Sequence, residues 1–183
     1  MSGREIILVR HAMPELERGV ASTLWGLAEA SREDCVMLAN ALPSELSTTV
    51  FTSEERKARE TAGVLALRRG LQVATDAGFG EVDRPTIWDD DYRAVAAAYL
   101  ATGAGEGWEP RDAVVQRFDA AIERALAVTV SGTLVVVDHG LALSLWLDSV
   151  SAINLVPFWE ALTLPDAWLF EPQSKALERV WMG

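Results

Sequence analysis

The chain has 183 residues, half of them hydrophobic, and a formal net charge of −11. This length suits one domain with a sizeable core, and the acidity argues against nucleic-acid binding, which needs a basic face. No apolar run approaches the ~20 residues of a membrane-spanning helix, and the charged N-terminus is unlike a signal peptide. The single cysteine, Cys35, excludes an internal disulfide framework and is expected to be a core thiol. We therefore expect a cytoplasmic protein without a membrane or nucleic-acid partner.

Strand and helix patterns alternate from the N-terminus. Residues 6–9 form an apolar run typical of a strand buried on both faces, and this run ends at Arg10-His11. Residues 27–42 have apolar side chains at helical spacing, and residues 49–52 predict a second strand. Ser53 is expected to cap the next helix, from about Glu54 to Arg69.

The remaining elements follow an irregular, glycine-rich stretch at residues 76–112, which could contain a helix at 91–100. A third strand is expected just before it, at 71–75. After it come an amphipathic helix at 112–128 and the strongest strand pattern of the chain at 133–137. The last predicted elements are a helix at 141–150 and a hairpin formed by residues 159–170 and 176–181.

This order predicts an α/β fold, a three-layer sandwich in which helices cover both faces of a mostly parallel sheet. We expect one domain over residues 1–183, with residues 76–112 as a short insert or lid. Ligands of such sheets bind outside the carboxyl ends of the strands. Both histidines of the chain, His11 and His139, directly follow strand patterns and should lie at that edge.

Cations near the same edge indicate an anionic ligand. Arg10 precedes His11, and a guanidinium at the end of a buried strand suits phosphate or carboxylate. Arg56 and Lys57 lie near the start of the second helix, where free amide groups attract anions, although Glu54 and Glu55 could satisfy the helix dipole instead. Two histidines and one cysteine without close spacing make a poor metal site.

Two further side chains were weighed as catalytic groups. Glu81, between Gly80 and Val82, is a carboxylate among apolar neighbours and could act as a general acid, or could be a plain surface glutamate. Ser144 follows His139 within a helical pattern, and the chain has no Gly-x-Ser-x-Gly elbow, so a serine nucleophile is disfavoured.

Taken together, these motifs resemble the histidine phosphatase superfamily, also called the phosphoglycerate-mutase-like family. The resemblance runs from residue 5 to about residue 147. The segments that carry it are, in chain order, Leu8-Val9-Arg10-His11-Ala12, Trp25-Gly26-Leu27, residues 53–62, Phe79-Gly80-Glu81-Val82 and residues 135–140.

The resemblance implies a role for each candidate residue. His11 would attack phosphorus and carry the phosphoryl group, while Arg10 and His139 would bind the phosphate oxygens. Glu81 would protonate the leaving oxygen and then deprotonate the attacking water. Because side chains supply the positive charge, the resemblance implies neither a metal nor another cofactor.

One departure from the family concerns the second phosphate-binding cation. The family usually has arginine at the fifth position of its Ser-x-x-x-Arg-Ala block, where this chain has Lys57. Lysine is a point charge and lacks the bidentate fork of arginine. Either Lys57 binds the phosphate alone, or Arg56 turns inward, or Arg84 replaces it, and we favour Lys57.

A second departure bears on the reaction. Mutase-type members carry a Gly-Glu-Thr/Ser stretch after the histidine and a long insert that shields the intermediate from water. Here Ala12-Met13-Pro14-Glu15 follows, and the insert is short, which favours a phosphatase over a mutase. A non-catalytic module that binds a phosphorylated ligand is the alternative from another class.

The substrate is expected to be a small phosphorylated molecule or a phosphoprotein. Four aromatic residues of the insert could form a lid that favours an apolar or planar substrate, or could equally be packing: Trp88, Tyr92, Tyr99 and Trp108. Three tryptophans near the C-terminus could bury a homodimer interface: Trp159, Trp168 and Trp181.

Overall fold

The computed structural model of the chain describes residues 3–85 and 92–183. In these residues six strands form one sheet, in the order β3-β2-β4-β1-β5-β6. The strands are β1 (Ile6–Arg10), β2 (Leu46–Thr52), β3 (Gln72–Thr75), β4 (Thr133–Asp138), β5 (Asp166–Glu171) and β6 (Ala176–Met182). The strands β3, β2, β4 and β1 are parallel to one another. Strand β5 pairs antiparallel with β1, and β6 pairs antiparallel with β5.

Helices cover both faces of this sheet. They are α1 (Ser31–Ala41), α2 (Arg56–Arg69), α3 (Tyr92–Thr102), α4 (Arg111–Val128), α5 (Gly140–Val150) and α6 (Leu155–Glu160). Because side chains alternate along a strand, Ile7 and Val9 of β1 pack with α1 and α2, whereas Ile6 and Leu8 pack with the other four helices. The predicted three-layer α/β sandwich with a mostly parallel sheet is therefore confirmed.

The second helix begins later than the sequence predicted. It starts at Arg56, and the residue that precedes it is Glu55, which has extended backbone angles. Ser53 does not cap the helix, since its hydroxyl accepts from the Glu55 amide, before the helix begins, and is hydrogen-bonded to His139. At the other end, Gly70 closes the helix with φ of 68°, a left-handed conformation that glycine adopts without strain.

The C-terminal part corrects one prediction and confirms another. Strands β5 and β6 form the expected hairpin, but α6 precedes it where the strand pattern had been extended back to Trp159. Trp159 is buried in the core, so it is not available to the predicted homodimer interface, whereas Trp168 and Trp181 are half-buried. Cys35 is a core thiol as predicted, and burial raises its pKa to about 11.

The carboxyl ends of three neighbouring strands meet at one edge. Arg10 is the register partner of Asp138, and Thr52 is that of Val137. The pairing of β1 with β4 continues one residue beyond β1, because the His11 amide donates to the Asp138 carbonyl at 3.0 Å. None of the helices in the described parts of the chain is long and apolar enough to cross a lipid bilayer.

Candidate functional site

The two histidines lie side by side at this edge. His11 follows β1, His139 follows β4, and both side chains are buried. Their ring centroids are 5.0 Å apart, with the planes inclined at 61°. The expectation that both histidines share the functional edge therefore agrees with their positions.

The ring of His11 is held in one tautomer. Its Nδ1 is 2.7 Å from the Ala12 carbonyl, which can only accept, so Nδ1–H donates and Nε2 keeps its lone pair. The Ala12 amide in turn donates to the Thr61 hydroxyl at 3.1 Å, which fixes the turn. Burial lowers the pKa of His11 well below 6.5, and His139 and Lys57 lower it further. His11 therefore presents a neutral imidazole with a free nitrogen.

His139 connects the end of β4 to α2. Its Nε2 shares a hydrogen bond of 2.7 Å with the Ser53 hydroxyl, and its Nδ1 has no hydrogen-bond partner among the described residues. Burial lowers the pKa of His139 well below its usual range, with Lys57 as the next cause. A neutral ring can donate a hydrogen bond to an oxyanion from one nitrogen without bringing a permanent charge.

Arg10 is anchored to the segment that precedes β5. Its Nη1 donates to the carbonyls of Leu162 at 3.0 Å and Thr163 at 3.3 Å. Its Nε is buried without a partner in the described residues, so a donor remains for a ligand. A Cβ at position 140 would lie 3.0 Å from that Nε, which explains why Gly140 follows His139.

Lys57 is the cation that the structure places beside the histidines. Its Nζ donates to the Ser22 carbonyl at 2.8 Å and forms an ion pair with Glu55. Arg56 does not turn inward, because its side chain is 59% exposed and donates to Glu60 at 2.7 Å. Arg84 instead stacks over the Tyr92 ring, 4.5 Å from its centroid.

These positions predict different effects for two neighbouring substitutions. Lys57→Met should weaken the binding of inorganic phosphate on the order of tenfold or more, because a charged donor is lost and the Glu55 carboxylate is left unpaired. Arg56→Met, the matched control, should change the affinity less than about twofold, since an exposed ion pair contributes little. Isothermal titration calorimetry would measure both, and equal effects would contradict the assignment of Lys57.

The Glu81 carboxylate lies at the first turn of α5. It accepts hydrogen bonds from the amides of Ala142 at 3.0 Å, Leu141 at 3.3 Å and Val82 at 2.9 Å. Since α5 begins immediately after His139, these contacts place the carboxylate at the same edge as both histidines. The structure thus brings together His11, His139, Arg10, Lys57 and Glu81, and leaves Arg56 at the surface.

An arginine that the sequence analysis missed holds the Glu81 loop. Arg117 of α4 donates to the carbonyls of Gly78, Gly80 and Glu81 at 2.8–2.9 Å. Its remaining donors form a bidentate pair with Glu109 at 2.8 and 2.9 Å. The only sequence signal was the spacing of Glu109 and Arg117, which are eight residues apart at the start of an amphipathic helix.

Two acidic residues of the site were also missed. Asp138 is fully buried, its carboxylate has no hydrogen-bond partner in the described parts, and burial raises its pKa well above 3.8, with Glu81 as the next cause. Glu55 lies within hydrogen-bonding distance of the Glu81 amide, at 2.9 Å. Both residues are close in sequence to predicted site residues, since Asp138 adjoins His139 and Glu55 lies between Ser53 and Lys57.

Half of the predicted aromatic lid belongs to the core. Tyr99 is fully buried, stacks on Trp108 with ring centroids 4.6 Å apart, and donates from its hydroxyl to the Glu109 carbonyl at 2.9 Å. Tyr92 is half-buried beside Arg84, and Trp88 lies outside the described residues. Glu81, Trp108 and Arg117 line a cavity, and neither histidine is among the described residues that line it.

The fold and the site define an α/β protein in which two buried histidines lie with Arg10, Lys57 and Glu81 at the carboxyl edge of a mostly parallel sheet. The chain belongs to the histidine phosphatase superfamily, branch 1, whose family model matches residues 6–167. No curated protein sequence matches it significantly.

Several solved structures share the fold. The mycobacterial glucosyl-3-phosphoglycerate phosphatase is 19% identical with a TM-score of 0.72, covering 96% of each chain. Bacillus stearothermophilus YhfR is 19% identical with a TM-score of 0.74, covering 96% of this chain and 94% of that chain. Mycobacterial hydrolase 1 is 21% identical with a TM-score of 0.72, covering 98% of each chain.

Proposed function

We propose that the protein is a metal-independent phosphatase that hydrolyses a phosphomonoester through a phosphohistidine intermediate on His11. The observation that carries the proposal is the state of the His11 ring. Its Nδ1–H is occupied by the Ala12 carbonyl, and burial keeps the ring neutral, so Nε2 is a free nucleophile.

The reaction has two steps. In the first, Nε2 of His11 bonds to phosphorus, the bond to the ester oxygen breaks, and Glu81 gives that oxygen a proton. In the second, the Glu81 carboxylate takes a proton from water, which attacks phosphorus and breaks the N–P bond, releasing inorganic phosphate. Arg10, His139 and Lys57 stabilise the phosphoryl oxygens in both transition states, where side-chain cations supply the charge.

The relatives support this reaction class. The mycobacterial glucosyl-3-phosphoglycerate phosphatase has been solved with VO3 and with inorganic phosphate, and its fold matches almost the whole of this chain. The ion pair of Glu55 with Lys57 favours a second candidate, because a carboxylate on the second cation reduces the positive charge available to the transition state. That candidate is a module that binds a phosphorylated ligand without catalysis.

Turnover and trapping distinguish the two. The native chain, incubated with p-nitrophenyl phosphate and EDTA, should release phosphate and yield a His11 phosphopeptide that survives alkaline quenching but not acid. A binding module would instead show only a phosphate-dependent rise in melting temperature. The absence of both turnover and phosphohistidine would refute the phosphatase.

Arg117 should act as a positioning residue for Glu81. Arg117→Leu removes the donors to three carbonyls of the loop, so the acid moves and kcat for an alkyl phosphate should fall roughly tenfold or more. The first turnover of p-nitrophenyl phosphate should slow less, because nitrophenolate leaves without a proton, whereas the second step needs Glu81 as a base with either ester.

The same helix supplies a control for this prediction. Arg124 also forms a bidentate pair with a carboxylate, that of Asp76, but its side chain is at the surface. Arg124→Leu should leave the ratio of the first-turnover rates of the two esters unchanged. A loss in Arg117→Leu that is equal for both substrates would indicate a general folding defect and not a displaced acid.

A further inference from the structure

An acidic side chain occupies the proposed phosphate site. Both oxygens of the Glu55 carboxylate face this cluster: Oε1 is 3.4 Å from Nε2 of His139 and accepts from the Glu81 amide at 2.9 Å, while Oε2 is paired with Lys57. Two of the groups expected to hold phosphate therefore already contact a fixed anion.

The Glu55–Lys57 pair is screened from water. The side chains are 11% and 7% exposed, so the field of the Glu55 carboxylate acts across the pocket with little damping by solvent. Glu55 is held there by the chain itself, because it directly precedes α2 and its amide donates to the Ser53 hydroxyl at 3.3 Å.

This carboxylate changes the charge balance of the site. Arg10 and Lys57 are positive, Glu55 and Glu81 are acidic, and burial favours the neutral forms of His11, His139 and Asp138. With Glu81 protonated, as the first step of the proposed reaction requires, the formal charges of these groups sum to +1, whereas without Glu55 the sum would be +2. Arg10 can neutralise the first negative charge of a bound ligand. A second negative charge would have to compete with the Glu55 carboxylate for Lys57.

We propose that Glu55 is a specificity-determining residue that makes the site select phosphoryl groups carrying one negative charge over doubly charged ones. The proposal rests on the proposed phosphatase function and narrows its substrate class. Suitable groups are phosphomonoesters in which a proton or a linked cation removes the second charge.

Anions of fixed charge test the selection without catalysis. Perrhenate and sulfate are both tetrahedral, but perrhenate carries one negative charge and sulfate two at neutral pH. Calorimetric titration of each into the native chain and into Glu55→Gln, at constant ionic strength, gives the ratio of their affinities. Glu55→Gln should raise the affinity for sulfate, relative to perrhenate, on the order of tenfold.

Two further variants secure the comparison. Glu54→Gln removes the same charge from the adjacent, exposed residue and should leave the ratio unchanged. Glu55→Leu removes the charge with a different side chain, so it gives a second reading if Glu55→Gln is poorly folded. An unchanged ratio, an equal gain for both anions, or no binding of either anion to any variant would overturn the proposal.

These outcomes are independent of the proposed reaction. If the ratio shifts in Glu55→Gln but the native chain releases no phosphate from any ester, charge selection stands and the phosphatase function fails. If the native chain turns over through phosphohistidine while the ratio stays constant, only the charge selection is refuted.

Discussion

His11→Ala is expected to abolish phosphatase activity, lowering kcat by roughly 10⁴-fold or more, because the atom that accepts the phosphoryl group is removed. Phosphate release from p-nitrophenyl phosphate would measure this loss. His11 directly follows β1 at the sheet edge, so the variant should keep its fold, and perrhenate binding with an unchanged melting profile would show this.

Because the chain contains only two histidines, the residue that carries the phosphoryl group can be identified directly. His11→Ala leaves His139 as the one remaining histidine, so a phosphohistidine trapped in this variant would have to be His139 and would contradict the proposed nucleophile. His139→Ala should still become phosphorylated on His11, although more slowly, because it loses a donor to the phosphoryl oxygens.

Burial keeps the pKa of His11 well below 6.5, so its nucleophilic form should persist as the pH falls through 6.5.

The sequence predicted the positions of the two histidines, because each directly follows a strand. His11 and His139 end strands whose apolar runs are unmistakable, and parallel strands bring their carboxyl ends to one edge. The start of α2 was predicted less well, because a helix pattern cannot reveal that the Ser53 hydroxyl is engaged by His139, 86 residues away.

Local sequence patterns could not predict the residues whose contacts join distant parts of the chain. Arg117 is 36 residues from the Glu81 carbonyl that it binds, and an arginine in an amphipathic helix looks like any solvated residue. From the sequence, Glu55 could be expected to satisfy the helix dipole, but in the structure its carboxylate contacts His139. Lys57 was favoured over Arg56 by the resemblance alone, since their orientations depend on where α2 packs against the sheet.

Glu81→Gln is expected to have an effect that depends on the leaving group. Glutamine keeps the volume but cannot give a proton, so kcat for an alkyl phosphate should fall about 10²- to 10⁴-fold. With p-nitrophenyl phosphate the first step needs no acid. The variant should then release one equivalent of nitrophenolate rapidly and accumulate phosphohistidine, because the second step still needs a base for water.

Rapid mixing would resolve this burst from the slow steady state, and alkaline quenching would show the accumulated intermediate. Asp83→Asn is the matched control, because it neutralises an exposed carboxylate two residues further along the same loop and should give neither a burst nor a dependence on the leaving group. If the first turnover of Glu81→Gln slowed equally for both esters, Glu81 would be positioning the phosphoryl group and not protonating the leaving oxygen. The general acid would then have to be sought among the other buried groups, and Asp138, whose pKa burial raises well above 3.8, would be the first to replace.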